Sequence, residues 1–357
     1  MDTARETIQR TLVIRFSSVG DVVLSSLLLR VLRRRFPMSQ IDYVIKSEFA
    51  DLVRHNPNVS SVIEFPTTGT FGDLVKLWRR IRRENYDLIV DIHGSVRSRF
   101  LCLGASRAVR YRKRKIARFF LVKLKWNLYR FFGGAPSVAE RYVEAVKEFG
   151  VENDGSGLEL FFPDDVGRSI ERSLRTHGLS KQQAVIGICP SAKHNNKMWL
   201  KEGFAETAVS LARKHSAAIA ILGSNGDVGR NSEIEVMMKK THPNINVMNL
   251  TARLSLLETA AFMDRCSIIV SNDSGLMHVA AARKRKIVAI FGPTVKELGF
   301  FPYAAPAVVI EHRGLNCRPC THIGLPECPR GHFKCMNEIS PSEVVDAANL
   351  LLRNQTT

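Results

Sequence analysis

Long apolar runs are missing from this 357-residue chain: none approaches the roughly 18–20 residues that a membrane-crossing helix needs. The opening MDTARETIQR carries acids and no apolar stretch, so it lacks the form of a secretory signal. The chain is therefore expected in the cytosol or on the cytosolic face of a membrane. No short-period repeat and no low-complexity tract occurs, so nothing points to a solenoid or a disordered array. Recognised RNA- or DNA-binding motifs are also absent, which leaves charge alone to argue for nucleic acid. The sharpest absence is local. Between Asp91 and Glu140 there is not one acidic residue.

What is present is the composition of a globular protein, 45% hydrophobic and 24% charged, with a net charge of +18. Such a charge asks for an anionic partner: nucleic acid, anionic lipid or a phosphorylated substrate. The length exceeds one ordinary core, and two domains of roughly 150–180 residues are expected. Short buried strands are predicted at 11–16, 41–45, 62–65 and 87–93, separated by segments with helical three- and four-residue apolar spacing. After a Gly/Asp-rich stretch the pattern restarts at 184–190, 217–223, 245–250, 267–272 and 286–292. Alternating strands and helices imply parallel sheets with right-handed crossovers, hence two doubly wound α/β domains facing each other across a cleft. The boundaries predicted are 1–175, 176–340 and a terminal helix at 341–357 that packs back on the N-terminal domain.

Four stretches carry candidate chemistry. In RFSSVGDVVLSS an apolar run stops at two serines, and Asp21 opens a helix. Asp21 is either a helix-start acid or a general base facing substrate. In SNDSGLMHVAAA a strand ends at Asp273, Ser274 and Gly275, and His278 follows one helical turn later. That pattern is either a plain cap over a core histidine or an anion site at a helix N-terminus. CPSAKHNNKMW places Ser191, Lys193 and Lys197 in a polar loop at a strand's carboxyl end; it is a solvated basic loop or a phosphate site. The last stretch holds Cys317, Cys320, Cys328 and Cys335, of which only the first pair has metal-like C-x₂-C spacing. A structural metal site, disulfides and free thiols all stay open there.

The acid-free region is the other large signal. Within 97–132, basic residues from Arg97 to Arg130 alternate with Phe119, Phe120, Trp126, Tyr129, Phe131 and Phe132. Basic residues mixed with aromatics suit an anionic membrane surface or a phosphorylated glycolipid; they also suit nucleic acid, or a solvated basic helix.

Taken in order, RFSSVGDVVLSSLLLRVLRRRFP, KMW, SNDSGLMHVAAA, IFGPT and the cysteine segment ending CMNEISPSEV resemble glycosyltransferase family 9, the bacterial heptosyltransferases of the lipopolysaccharide inner core. The resemblance runs from Leu12 to the last helix. It implies a GT-B fold of two Rossmann-like domains, an acceptor domain followed by a nucleotide-sugar domain, with ADP-heptose as donor and no catalytic metal. It implies Asp21 as the base and Lys197 as the partner of the donor diphosphate. Asp273 falls on the donor sugar hydroxyls, with Ser274, Gly275, His278 and Ser191 around the phosphates. Leu276 departs from the family, where many relatives have proline, and the length of loop 191–197 departs too. The cysteine segment is more like the heptosyltransferase II type. The expected function is inverting heptose transfer to an anionic lipid A–core acceptor at the inner membrane face, with no nucleic-acid partner. The rivals are a family-9 enzyme with another donor or acceptor, and a non-catalytic lipid- or nucleic-acid-binding protein.

Overall fold

A computed structural model describes residues 8–132, 134–176, 179, 180 and 182–353. They fall into two compact units, each built on its own sheet. The first unit runs up to Arg114 and takes the chain again over Val138–Phe161; the second takes Lys115–Ser137 and everything from Phe162 on.

In the first unit, β1 (Arg10–Ile14), β2 (Gln40–Lys46), β3 (Ser61–Phe65), β4 (Leu88–Asp91) and β5 (Ala108–Arg110) form a parallel sheet in the order β3-β2-β1-β4-β5. Leu12, Val13 and Ile14 of β1 are fully buried, as a central strand covered on both faces requires. The helix Phe71–Glu84 shows how the local sequence decides an element. Thr70 and Asp73 form a reciprocal capping box, Leu74, Leu77 and Ile81 bury one stripe, and Asn85 ends the helix at φ 47°. A cap of that kind stabilises by about 1 kcal/mol.

The second unit holds β6 (Val185–Cys189), β7 (Ala218–Ile221), β8 (Val247–Asn249), β9 (Ile268–Asn272), β10 (Ile287–Ile290) and β11 (Ala307–Ile310), all parallel, in the order β11-β10-β9-β6-β7-β8. Counted from its own first strand this is the dinucleotide-fold order, and the first unit has the same order less one edge strand. Each sheet therefore reverses winding at one place: between β1 and β4, and between β6 and β9. Open α/β sheets bind ligands at the carboxyl ends of such strands.

The expected boundaries need correcting. Residues 154–159 are tied to the first unit by Arg30, which donates to Asp154 and Glu159 at 2.8 Å each. Phe162 instead lies under the Arg283 guanidinium, 4.5 Å away, in the second unit. The division thus comes at Phe161, well before 175. Segment 115–137 also belongs to the second unit, because Ala117, Leu121 and Tyr129 bury themselves with Leu298. The terminal helix Pro341–Arg353 packs on the helix Lys201–His215 and on β9, β10 and β11, so it covers the second unit rather than the first. Its Val344, Ala347, Ala348 and Leu351 join the core around the fully buried Trp199. The expected span 97–132 is correspondingly two pieces in two units. Strands β5 and β11, edge strands that are short and half-exposed, had no counterpart in the predicted set.

Candidate active site

Asp21 stands in the first turn of the helix Val19–Leu24, just beyond β1 at the first unit's switch point. Ser18 is the N-cap, and no side chain caps the helix amides. The Asp21 carboxylate bonds elsewhere: Arg15 reaches Oδ2 at 2.6 Å, the Tyr142 hydroxyl donates to Oδ1 at 3.3 Å, and the Ser18 hydroxyl donates to Oδ2 at 3.3 Å. Side-chain capping therefore does not explain Asp21. Its side chain is 21% exposed while that of Arg15 is 9% exposed, so the acid keeps one open side and its cation does not. Burial works against the Arg15 charge, but Asp21 together with Tyr142, Tyr43 and Tyr111 outweighs it, so the guanidinium's pKa is raised. Arg15 also donates to the carbonyls of Ser17 and Ile92, both at 2.7 Å, which joins the β1 exit to the β4 exit.

The β4 exit is shaped by Asp91, which is completely buried. It accepts from the amides of His93 (3.0 Å) and Gly94 (2.8 Å) and pairs with Arg110 (3.0 Å). Gly94 takes φ +63°, and a Cβ there would lie 3.0 Å from Lys113. His93, edge-on to Phe16, is held to a pKa of about 4 by burial and by the charges of Arg15 and Lys113. This is a neutral imidazole beside a fixed carboxylate.

In the second unit the β6 and β9 exits meet. Asn272, the last residue of β9, donates to Pro190 O (2.7 Å) and accepts from the Trp199 amide (3.0 Å). That cross-link sets the turn Asn195–Lys197, and Lys197 reaches the Asp273 carboxylate at 2.6 Å. Thr294 donates to the same oxygen of Asp273 at 2.7 Å. Ser274 is the N-cap of the helix Gly275–Ala282, again without a side-chain cap bond. The positive end of that helix, Lys197 and Asp273 thus stand together at the switch point. Ser191, half-buried, donates to Asn231 at 3.4 Å on the same strand end. Lys193 is exposed. His278 is buried, its ring 6.4 Å from that of Phe300, as a histidine packed in a helix face would be. The expected donor residues Ser191, Lys197, Asp273, Ser274 and Gly275 are brought to one end of one sheet, with His278 on the inner side of the helix they open.

The model of glycosyltransferase family 9 (heptosyltransferase) matches residues 74–329. The chain belongs to glycosyltransferase family 9. It is 28% identical over 355 residues to lipooligosaccharide heptosyltransferase 2 of Haemophilus ducreyi, covering 96% of this chain and 99% of the relative. A family 9 glycosyltransferase from Veillonella parvula superposes with a TM-score of 0.80 at 22% identity over 99% of both chains. The ADP-heptose lipopolysaccharide heptosyltransferase II of Escherichia coli gives 0.73 at 24% identity, over 97% of this chain and 99% of that one. The fold is thus GT-B, with two Rossmann-like units.

In this family 9 chain the cysteine stretch takes a form that spacing alone left open. All seven cysteines are free thiols, and among the described residues no group of three or more His, Cys, Asp or Glu is placed to hold a metal. The possible structural site at Cys317, Cys320, Cys328 and Cys335 is therefore not assembled. Cys335 is buried in the core, which pushes its thiol up to about 12. Several residues placed around the candidate positions escaped sequence reasoning: Arg15, Tyr142, His93, Asn272 and Thr294. Thr294 sat inside the quoted IFGPT without a role. Arg15 was visible as one cation at the end of an apolar strand, a position that burial makes expensive without a partner.

Proposed function

We propose that this chain transfers heptose from ADP-heptose to the lipopolysaccharide inner core; its relatives are named lipooligosaccharide and lipopolysaccharide heptosyltransferase 2. Asp21 serves as general base. It takes the proton of an acceptor hydroxyl while that oxygen bonds the anomeric carbon from the face opposite the leaving group. The anomeric carbon–oxygen bond breaks, ADP departs with the electron pair, and configuration inverts. Lys197 and the start of the helix Gly275–Ala282 meet the charge that develops on the diphosphate, an electrostatic contribution that matters most where water is scarce. Asp273, steadied by Thr294, accepts from donor hydroxyls, and Ser191 and Ser274 line the phosphates. The first unit then handles the acceptor and the second the nucleotide sugar.

One observation carries this reading. At the switch point of each sheet stands an acid that is not used as a helix cap, one paired with a buried arginine and the other with Lys197. The acceptor is read as anionic lipid A–core at the cytoplasmic face of the inner membrane. The exposed Ile116, Phe119, Leu124, Trp126 and Phe131 among Lys115, Arg118 and Lys123 supply the surface that meets the bilayer. Among the described residues no helix is long and apolar enough to cross a membrane, so contact there would be peripheral.

The test is ADP release from ADP-heptose with Kdo-lipid A and with the singly heptosylated acceptor. Turnover is expected on the heptosylated one. Asp21→Asn is expected to lower kcat by roughly 10²–10⁴-fold with donor KM little changed. Wild-type turnover by a folded Asp21→Asn variant would remove Asp21 from the base role.

A further inference from the structure

The stretch Leu315–Met336 is the family 9 sequence feature to which the reaction gives no task. Two sets of its hydrogen bonds run to the two turns that carry the donor-side residues, all within the second unit. On one side Arg318, its side chain 6% exposed, directs its guanidinium at the turn after β10. It donates to the carbonyls of Phe291 (3.4 Å), Gly292, Thr294 (3.0 Å) and His312, and to the Glu311 carboxylate (2.9 Å). The Cys320 amide adds a bond to Pro293 O at 3.2 Å. Thr294 in turn holds Asp273, and Asp273 holds Lys197.

On the other side the stretch grips the residue before Lys197. Leu325 donates its amide to Asn196 Oδ1 (2.8 Å), and Asn196 returns its amide to Leu325 O (3.3 Å). Gly324, at φ +121°, passes so near His194 that a Cβ would lie 2.5 Å from that side chain. Only glycine allows the approach.

We propose that Leu315–Met336 is a clasp that sets the geometry of the donor site, with Arg318 as a positioning residue acting through Thr294 on Asp273. This rests on the donor-site reading above. Arginine suits the task because its planar fork offers five donors in fixed directions; the lysine ammonium offers three around one point. With the carbonyls of Phe291, Gly292 and Thr294 bonded to one cation and that of Pro293 to the Cys320 amide, the Thr294 hydroxyl stays aimed at Asp273. Without that cation, Thr294 turns away, and the oxygen of Asp273 that Thr294 shared with Lys197 is left to the lysine alone, so the existing ion pair competes more strongly with the diphosphate.

The experiment is a double-mutant cycle on ADP affinity by calorimetry, with Arg318→Lys, Thr294→Val and the pair, alongside steady-state kinetics and amide hydrogen exchange. Each single variant is expected to weaken ADP roughly ten- to a hundredfold and to raise donor KM, with acceptor KM unmoved. Acting in series, the pair should be no worse than the weaker-binding single variant. A lowered Tm with unchanged ADP affinity, or strictly multiplicative losses, would overturn the clasp. Should Arg318→Lys not fold, Asn196→Ser tests the other grip, and unchanged ADP affinity there counts equally against it. A wild-type chain that does not bind ADP would sink the donor reading instead. The clasp would then be judged by exchange: faster amide exchange over 271–275 and 291–294 in Arg318→Lys supports it, and unchanged exchange refutes it.

Discussion

At the scale of single residues, His93 is the group whose charge the fold decides. Arg15 and Lys113 face it as cations, Asp91 and Asp21 as carboxylates, and burial tips the balance to the neutral form with a pKa of about 4. The unfolded chain takes that proton near 6.5. Between these values the unfolded state binds more protons, so stability rises with pH through the window and is lost as pH falls from about 6.5 towards 4. The slope from this one group can reach about 1.4 kcal/mol per pH unit. Urea midpoints at about pH 7 and pH 5 should therefore fall further in wild type than in His93→Asn. Equal losses in both would mean the imidazole is not the group that titrates. Legibility at this scale followed chemistry that interrupts a pattern. Asp21 and Asp273 follow closely on apolar strands and Lys197 lies in the polar loop after another, so they stood out as candidates in the sequence. Tyr142 and Asn272 could not, because a tyrosine in a helix and an asparagine at a strand end are ordinary until the contact across more than a hundred residues, or across the sheet, is known.

At the scale of elements, the two sheets were legible where strands are central and buried on both faces. β1, β2, β4, β6, β7, β9 and β10 read as continuous apolar runs. The edge strands β5 and β11 gave no such signal: β5 is largely exposed and contains Arg110, whose ion pair with buried Asp91 replaces apolar burial as its anchor. Elements also had to be joined at their ends, and Asn272 does this for β6, β9 and the Trp199 turn. Asn272→Ala would leave a buried carbonyl and a buried amide without their partner. The expected loss is about 2–4 kcal/mol of unfolding free energy, from two groups at about 1–2 kcal/mol each. Because the same bond sets the Lys197 turn, ADP binding should weaken in the fraction that stays folded. Unfolding in urea together with calorimetric ADP titration measures both, and a stability loss without any change in ADP affinity would separate the cross-link from the site.

At the scale of the whole molecule, the net charge of +18 names a class of partner without saying where it binds. Burial says where. In the stretch 97–114, Arg110 and Arg114 are already engaged with Asp91 and Glu144, whereas in 115–131 the inner residues Ala117, Leu121 and Tyr129 are packed and the outer ones are left outside. Phe131 is 81% exposed and Ile116 74% exposed, and Phe120 stacks on the exposed Trp126. Large apolar side chains left outside an acid-free, basic stretch fit an interface in which tails take the rings and headgroups take the lysines. Burying one such side chain in acyl chains contributes about 1.5–3 kcal/mol, and each nearby Lys or Arg about 1 kcal/mol on an anionic surface. Partitioning onto vesicles of phosphatidylcholine with phosphatidylglycerol should therefore be strong at low salt and weaker at high salt. The Trp126→Ser/Phe131→Ser pair should reduce it at least tenfold at either salt, since more than one 1.4 kcal/mol step is removed. Arg97→Ala/Arg99→Ala in the first unit should change it little. Retained vesicle binding by the Trp126/Phe131 variant, with loss in the Arg97/Arg99 variant, would move the membrane-facing surface to the first unit.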